Sequence, residues 1–126
     1  MAVTLVIVNA RVWTNDVRRP WADAVAVDGD RIAVVGSSAE VMKRAGSARV
    51  IDAKGAMVIQ GREDPCASIL QAGSAETVLA ARGVLRAGAP ADLTAFDGDV
   101  SRLTVGSVGV VRVIWTIASG AVVPVG

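Results

Sequence analysis

Between Ala24 and Gly36 the chain reads Ala24-Val25-Ala26-Val27, then Asp28-Gly29-Asp30, then Arg31-Ile32-Ala33-Val34-Val35-Gly36. Short β-branched runs on either side of an Asp-Gly step form a β-hairpin, because the step supplies the positive φ that a tight turn needs. An isolated hairpin is marginal in water, so this one demands further strands to pack against. The rest of the chain supplies them. From Val3 to Val8 the residues are almost continuously apolar and β-branched, which predicts a strand buried on both faces. Asn9 and Ala10 then lead into a second short strand, Arg11-Val12-Trp13-Thr14. Arg49-Val50-Ile51-Asp52-Ala53 and Ala56-Met57-Val58-Ile59 flank Lys54-Gly55, a spacing that predicts a second hairpin.

Helical signals are few. Ser37 followed three residues later by Glu40 makes a capping box, and Val41, Met42 and Ala45 line a short helix near 38–45 that Gly46 ends in a left-handed conformation. The rhythm breaks at Gly61-Arg62-Glu63-Asp64-Pro65, where charge, Gly and Pro discourage strand pairing. From Ala67 to Arg82 helix formers dominate, with Ile69, Leu70, Val78 and Leu79 as apolar anchors, Gly73 as an interruption and Gly83 as the end. Strands return with Ala91 to Phe96, a turn at Asp97-Gly98-Asp99 and a long candidate from Val110 to Ile117. In that last strand Val111, Val113, Trp115 and Ile117 share a core face and Arg112 and Thr116 point away. Ser119-Gly120 turns into Ala121-Val122-Val123. Trp13, Trp21 and Trp115, with Phe96, are read as the bulky centre of the core. Strand-rich sequence on both sides of one helical stretch gives a mainly β fold, a β-sandwich whose sheets bury their apolar faces against each other.

The 126 residues allow one domain with a real core. Thirteen basic and 12 acidic residues are scattered to a net charge of +1, so there is no basic stripe of the kind that follows a phosphate backbone, and nucleic acid is not expected as a partner. Hydrophobic residues make up 52%, yet no run approaches the ~20 apolar residues of a membrane span. No export signal is read at the start, where the apolar run lacks a basic leader and soon meets Asn9 and Arg11. A single cysteine, Cys66, excludes an intrachain disulfide and suits a reducing compartment, so the cytoplasm is the expected location. As a nucleophile Cys66 would need a base beside it, and the chain has no histidine. The same lack removes the usual ligand of catalytic zinc.

Carboxylates are the remaining candidates for chemistry. Glu63 and Asp64 are adjacent, which makes their side chains diverge on a strand, although in a cleft beside the helix either could serve as an acid or base without histidine. Asp28/Asp30 and Asp97/Asp99 bracket single glycines, the pattern of a turn fixing its own backbone, with weak cation binding as the alternative. Gly106-Ser107-Val108-Gly109 lacks the spacing and following helix of a phosphate cradle.

The segments Val6-Ile7-Val8-Asn9-Ala10-Arg11-Val12, Ala26-Val27-Asp28-Gly29-Asp30-Arg31-Ile32-Ala33-Val34-Val35-Gly36 and Val50-Ile51-Asp52-Ala53-Lys54-Gly55 resemble the start of an amidohydrolase-superfamily enzyme. Gly83-Val84-Leu85-Arg86-Ala87-Gly88-Ala89-Pro90-Ala91-Asp92-Leu93 and Val111 to Val123 are similar to that family's end. The context of Trp13 and Trp21 looks closest to a branch resembling N-substituted formamide deformylases. In the family the two ends combine into a small composite β-sandwich, and everything between them builds a metal-binding barrel that hydrolyses C–N bonds of amides, ureas or cyclic imides. The resemblance implies one composite domain assembled from 1–60 and 83–126, with 61–82 as a linker or barrel remnant. Here Ile59 is followed by Gln60-Gly61-Arg62-Glu63-Asp64-Pro65 where the family carries its His-x-His metal motif, and a barrel needs ~250 residues.

The resulting expectation is a non-catalytic structural or interaction domain: not an enzyme, with no catalytic residue, no metal and no cofactor. The alternatives are a histidine-independent enzyme using Glu63 or Asp64, and a β-sandwich that binds a small ligand. Asp92, a recurring residue of the family's tail, has no base or metal in sight, which favours a loop-fixing hydrogen bond. A homodimer is expected, through apolar surface that a missing barrel would uncover, and a separate barrel protein is a second candidate partner.

Overall fold

The computed structural model describes residues 2–62, 65, 69, 71–103, 106 and 111–124. The Ala24–Gly36 hairpin forms as its sequence requires: β4 (Ala24–Asp28) pairs antiparallel with β5 (Arg31–Gly36) around Gly29, whose φ is 61°. β1 (Leu5–Val8) lies beside β4 and β6 (Arg49–Asp52) beside β1, giving a four-stranded sheet in the order β5-β4-β1-β6. The second sheet has six strands in the order β10-β9-β8-β7-β2-β3. These are β2 (Arg11–Trp13), β3 (Trp21–Ala22), β7 (Met57–Gln60), β8 (Leu93–Phe96), β9 (Val113–Ala118) and β10 (Ala121–Pro124). Strands from both ends of the chain meet in it, with β7 antiparallel to β8 from Met57↔Phe96 to Gln60↔Leu93. The fold is mainly β, a sandwich of two mixed sheets.

The hairpin expected around Lys54-Gly55 does not form. Both residues do take positive φ, 52° and 85°, but the turn carries the chain from one sheet to the other. β6 pairs parallel with β1, and β7 pairs parallel with β2. The crossing is shared: Asn9, at φ 55°, takes β1 into β2 at the same corner, and the two crossings are bonded by Ala53 N–H to Val8 O at 2.9 Å, Gly55 N–H to Asn9 O at 2.7 Å and Arg11 N–H to Ala56 O at 2.9 Å. A turn dipeptide specifies a change of direction and not the partner of the strand that follows it.

Both faces of β1 are buried, as its unbroken apolar run predicts. Leu5 and Ile7 join Val25, Val27 and Ile32 in the layer between the sheets, against Val12, Val58, Leu93, Ala95 and Ile117. Val6 and Val8 face the other way with Ala24 and Ala26, under Val41 and Ala45. Val41 belongs to α1 (Ser38–Lys43), which opens with the expected capping box: Ser37 Oγ accepts from the Glu40 N–H, and Glu40 Oε1 from the Ser37 N–H. The outer face of the six-stranded sheet, carrying Met57, Ile59 and Phe96, is covered by Ile69, Val100, Leu103 and α2 (Ala75–Ala80), which contributes Ala75 and Leu79.

Within the expected helix from Ala67 to Arg82, Ile69, Gln71 and Ala72 are helical and Gly73, at φ 80°, interrupts. Ser74 then caps α2, while residues 67, 68 and 70 lie outside the described set. The helix closes at Ala81 in a right-handed conformation, two residues before the expected end at Gly83. Because Ala75 and Leu79 are buried on the chain's own sheet, that face of the helix does not need a second copy to cover it.

Two further expectations are corrected. Val111, Val113, Trp115 and Ile117 do not share one face, because the β8–β9 register shifts between Ala95↔Trp115 and Phe96↔Val113. An extra residue in one strand re-aims its neighbours, so Val111 and Val113 pack outward on the Phe96 layer while Trp115 and Ile117 pack between the sheets. The strand itself starts at Val113, and Val110 lies outside the described residues. The tryptophans are not the core's centre either. Trp13 and Trp115 are half-buried at its margins, Trp21 is exposed with the Arg11 guanidinium 4.8 Å from its ring centroid, and aliphatic residues around Phe96 fill the interior.

Candidate functional site

The chemistry-bearing side chains gather where β7 ends and β8 begins. Gln60 is the last residue of β7, and Gly61 N–H donates to Asp92 O at 2.7 Å while Thr94 Oγ donates to Gly61 O at 2.6 Å. These bonds hold the two strand ends side by side. Asp92 Oδ1 accepts the Ser119 N–H at 2.8 Å and lies 3.4 Å from Arg62 Nε. Its carboxylate therefore fixes the β9–β10 turn. From the far side, Arg82 at the end of α2 donates through Nη1 to Gln60 O at 2.7 Å, and Asn15 Nδ2 in turn donates to Arg82 O at 2.5 Å.

Between these elements lies a cavity of about 750 Å³, bordered by Gln60, Arg62, Gln71, Val78, Arg82 and Asp92 among others. The volume is in the range of small-molecule sites. Gln60 also borders an adjoining space with Gly83 and Pro90. Its Oε1 is buried and has no hydrogen-bond partner among the described residues, and an added Cβ on Gly83 would come within 2.9 Å of it. Of these residues only Asp92 and the junction as a whole drew notice in the sequence. Gln60 is detectable in retrospect as a polar residue closing an otherwise apolar strand, and Arg82 carries no signal beyond its place at a helix end.

The other sequence candidates fall elsewhere. Glu63, Asp64, Cys66 and residues 107–109 lie outside the described residues. Asp97 Oδ1 accepts the Arg112 N–H at 2.8 Å, Asp99 Oδ1 accepts the Ser101 N–H at 2.9 Å, and Asp99 pairs with Arg11 at 3.7 Å. Asp30 pairs with Arg31 at 3.9 Å. No group of three or more His, Cys, Asp or Glu side chains is placed to hold a metal ion among the described residues. Glu40, remote from this site, has its carboxyl held below the ordinary value by the Ser37 backbone N–H, then by the Ser37 hydroxyl, with Arg19 and Arg44 adding. Among the described residues no helix is long and apolar enough to cross a membrane.

No protein-family model matches the chain. Over 58 residues, 45% of this chain, it is 47% identical to N-substituted formamide deformylase of Arthrobacter pascens. The match spans 11% of that protein, so the chain accounts for a small part of its relative's length. Among solved structures, a protein from Bacillus thuringiensis aligns at 26% identity over 50% of this chain and 85% of its own, with a TM-score of 0.45. An enamidase described as a member of the amidohydrolase superfamily aligns at 28% identity over 55% and 23%, with a TM-score of 0.38. A metal-dependent hydrolase from Pyrococcus furiosus aligns at 14% identity over 56% and 16%, with a TM-score of 0.41.

The expectation that the chain is not an enzyme is corrected by the first of these matches, whose partner is a hydrolase. The expectation rested on the absence of histidine and on a length too short for a barrel. That absence describes these 126 residues, whereas the relative is a far longer protein with room for catalytic groups elsewhere.

Proposed function

We infer that this chain, a relative of amidohydrolase-superfamily hydrolases, is the β-sandwich portion of a hydrolase acting on carbon–nitrogen bonds, and that its work is to hold and orient the part that carries the chemistry. The observation that carries the reading is the 47% identity to N-substituted formamide deformylase over 58 residues. Identity at that level supports a shared scaffold. The rigidity expected of a support is favoured by buried clusters between the sheets and on the outer side of each, and by the bonds that join the two crossings. Catalytic groups gain from being mounted on such elements, because small displacements of a reacting group are costly in rate.

The test is a chimera in which this chain's matching 58 residues replace their counterpart in the Arthrobacter pascens deformylase. Retained metal content and retained hydrolysis of N-substituted formamides are expected. A chimera that folds and binds metal but has lost turnover by orders of magnitude would show that these strands do not do the scaffold's work. Screening the pure chain against amides, ureas and cyclic imides with added divalent metal completes the experiment, since turnover there would place the reacting groups within these 126 residues.

A further inference from the structure

We propose that the cavity beside Gln60 binds a small aliphatic amino acid, its carboxylate on Arg62 and its ammonium on the Gln60 amide oxygen. The proposal is independent of the hydrolase reading. It begins from two polar side chains, two residues apart, that both border the cavity: one with an unmet acceptor and one with solvent-facing donors. Gln60 Oε1 is a buried acceptor without a partner among the described residues, a state that is costly to leave unmet. Arg62 approaches Asp92 with Nε 3.4 Å from Oδ1, the oxygen that also accepts the Ser119 N–H at 2.8 Å. The terminal amino groups of Arg62 have no protein partner among the described residues, and with the side chain 56% exposed they face solvent at the cavity's edge.

A guanidinium with free terminal donors takes a planar carboxylate in two parallel hydrogen bonds. A lone amide oxygen takes an N–H donor. Gln60 Oε1 is closed off from the cavity, so a ligand reaches it by rotation about the last bond of the side chain, whose torsion is broad, and the unmet acceptor favours any rotation that reaches a donor. Ala72, Val78 and Ala81 give the lining an apolar part, beside the polar Gln71, Thr77 and Arg82, and that part suits a branched aliphatic side chain. The cavity's about 750 Å³ admits such a ligand with room for water.

The experiment is calorimetric and melting-curve titration of the full chain with L-valine, with isobutyrate (the carboxylate and side chain without the amine) and with isobutylamine (the amine without the carboxylate). L-Valine is expected to bind saturably and to raise the melting temperature with concentration, and each half-ligand to bind at least roughly tenfold more weakly, the size of one charged hydrogen bond. Arg62→Gln, on an exposed side chain, should weaken L-valine by a similar factor without changing the melting temperature of the free chain. Gln60→Leu removes the unmet acceptor, so it should leave the free chain's melting temperature level or higher while abolishing the advantage of L-valine over isobutyrate. The proposal is overturned if L-valine gives no saturable signal at millimolar concentration, if the three compounds behave alike, or if Arg62→Gln binds L-valine undiminished. The last comparison decides the matter on its own should Gln60→Leu fail to fold.

Discussion

Replacing Gly120 by alanine should damage the fold far more than the same change at Gly29, although both glycines occupy turns with positive φ. At Gly120 φ is 83°, and a Cβ built there would have to occupy the space of the Gly29 carbonyl oxygen, 2.9 Å from its carbon and 3.4 Å from Asp30 Cα. The obstacle is backbone, which cannot swing aside as a side-chain tip can. At Gly29 φ is 61° and an added Cβ meets nothing within 4 Å. A left-handed non-glycine residue costs roughly 1–2 kcal/mol, and that is the whole expected loss for Gly29→Ala. For Gly120→Ala the forced separation of two hairpin turns adds roughly 1–3 kcal/mol of overpacking, so about 2–5 kcal/mol is expected. The turn is also bonded through Gly120 N–H to Ala91 O at 3.0 Å and Ser119 N–H to Asp92 Oδ1 at 2.8 Å, and these bonds lie in the path of any relaxation. Urea titration of both variants, with unchanged slopes, gives the two losses directly. Equal losses would refute the reasoning, because they would mean that the β4–β5 and β9–β10 turns do not touch.

Phe96 is fully buried and Trp115 is not, so Phe96→Ala should cost roughly 3–5 kcal/mol and Trp115→Ala clearly less, a ranking that denaturant titration of the two variants tests. Ser37→Ala removes the acceptor at the head of α1 and should cost about 1 kcal/mol, readable as a lower melting temperature. Because Glu40 is held below its ordinary pKa in the folded chain, its contribution is fully present above the unfolded value and is lost as pH falls through the lowered folded one. The Ser37 amide resonance should therefore shift and its exchange quicken in that acidic window, and in Glu40→Gln the window should vanish while the cap persists.

What could be read in the sequence was what neighbours along the chain decide. The β4–β5 hairpin, the Ser37–Glu40 cap, the Gly73 interruption and the Ser119-Gly120 turn each depend on residues within a few positions of one another. The Lys54-Gly55 turn was legible too, but the partner of β7 was not, because that choice is made by β2 and β8, far away in sequence. The face of Val113 is set by a register shift against Phe96 that no periodicity in β9 reveals. The tryptophans misled because size was taken for depth: large rings are often only partly enclosed, and here the aliphatic strands close the centre without them. Of the candidate site, Asp92 and the break at Gly61 were visible, whereas Gln60 gains its meaning from Gly83 and Arg82, which only folding brings beside it.

The closing pair of β7 and β8 has a consequence for how much chain such a domain can tolerate. Gln60 stands opposite Leu93, and Gly61 is bonded to Asp92, so the excursion that leaves the sheet at one residue returns to it at the adjacent strand. For a loop whose ends are already in contact, the entropy of closure grows only with the logarithm of its length, about 0.6 kcal/mol for each doubling. Going from thirty residues to several hundred therefore costs the sheet only about 2 kcal/mol in closure entropy. A domain of this kind is a clasp: evolution can lengthen, shorten or exchange what it holds while the strands that close it stay in register.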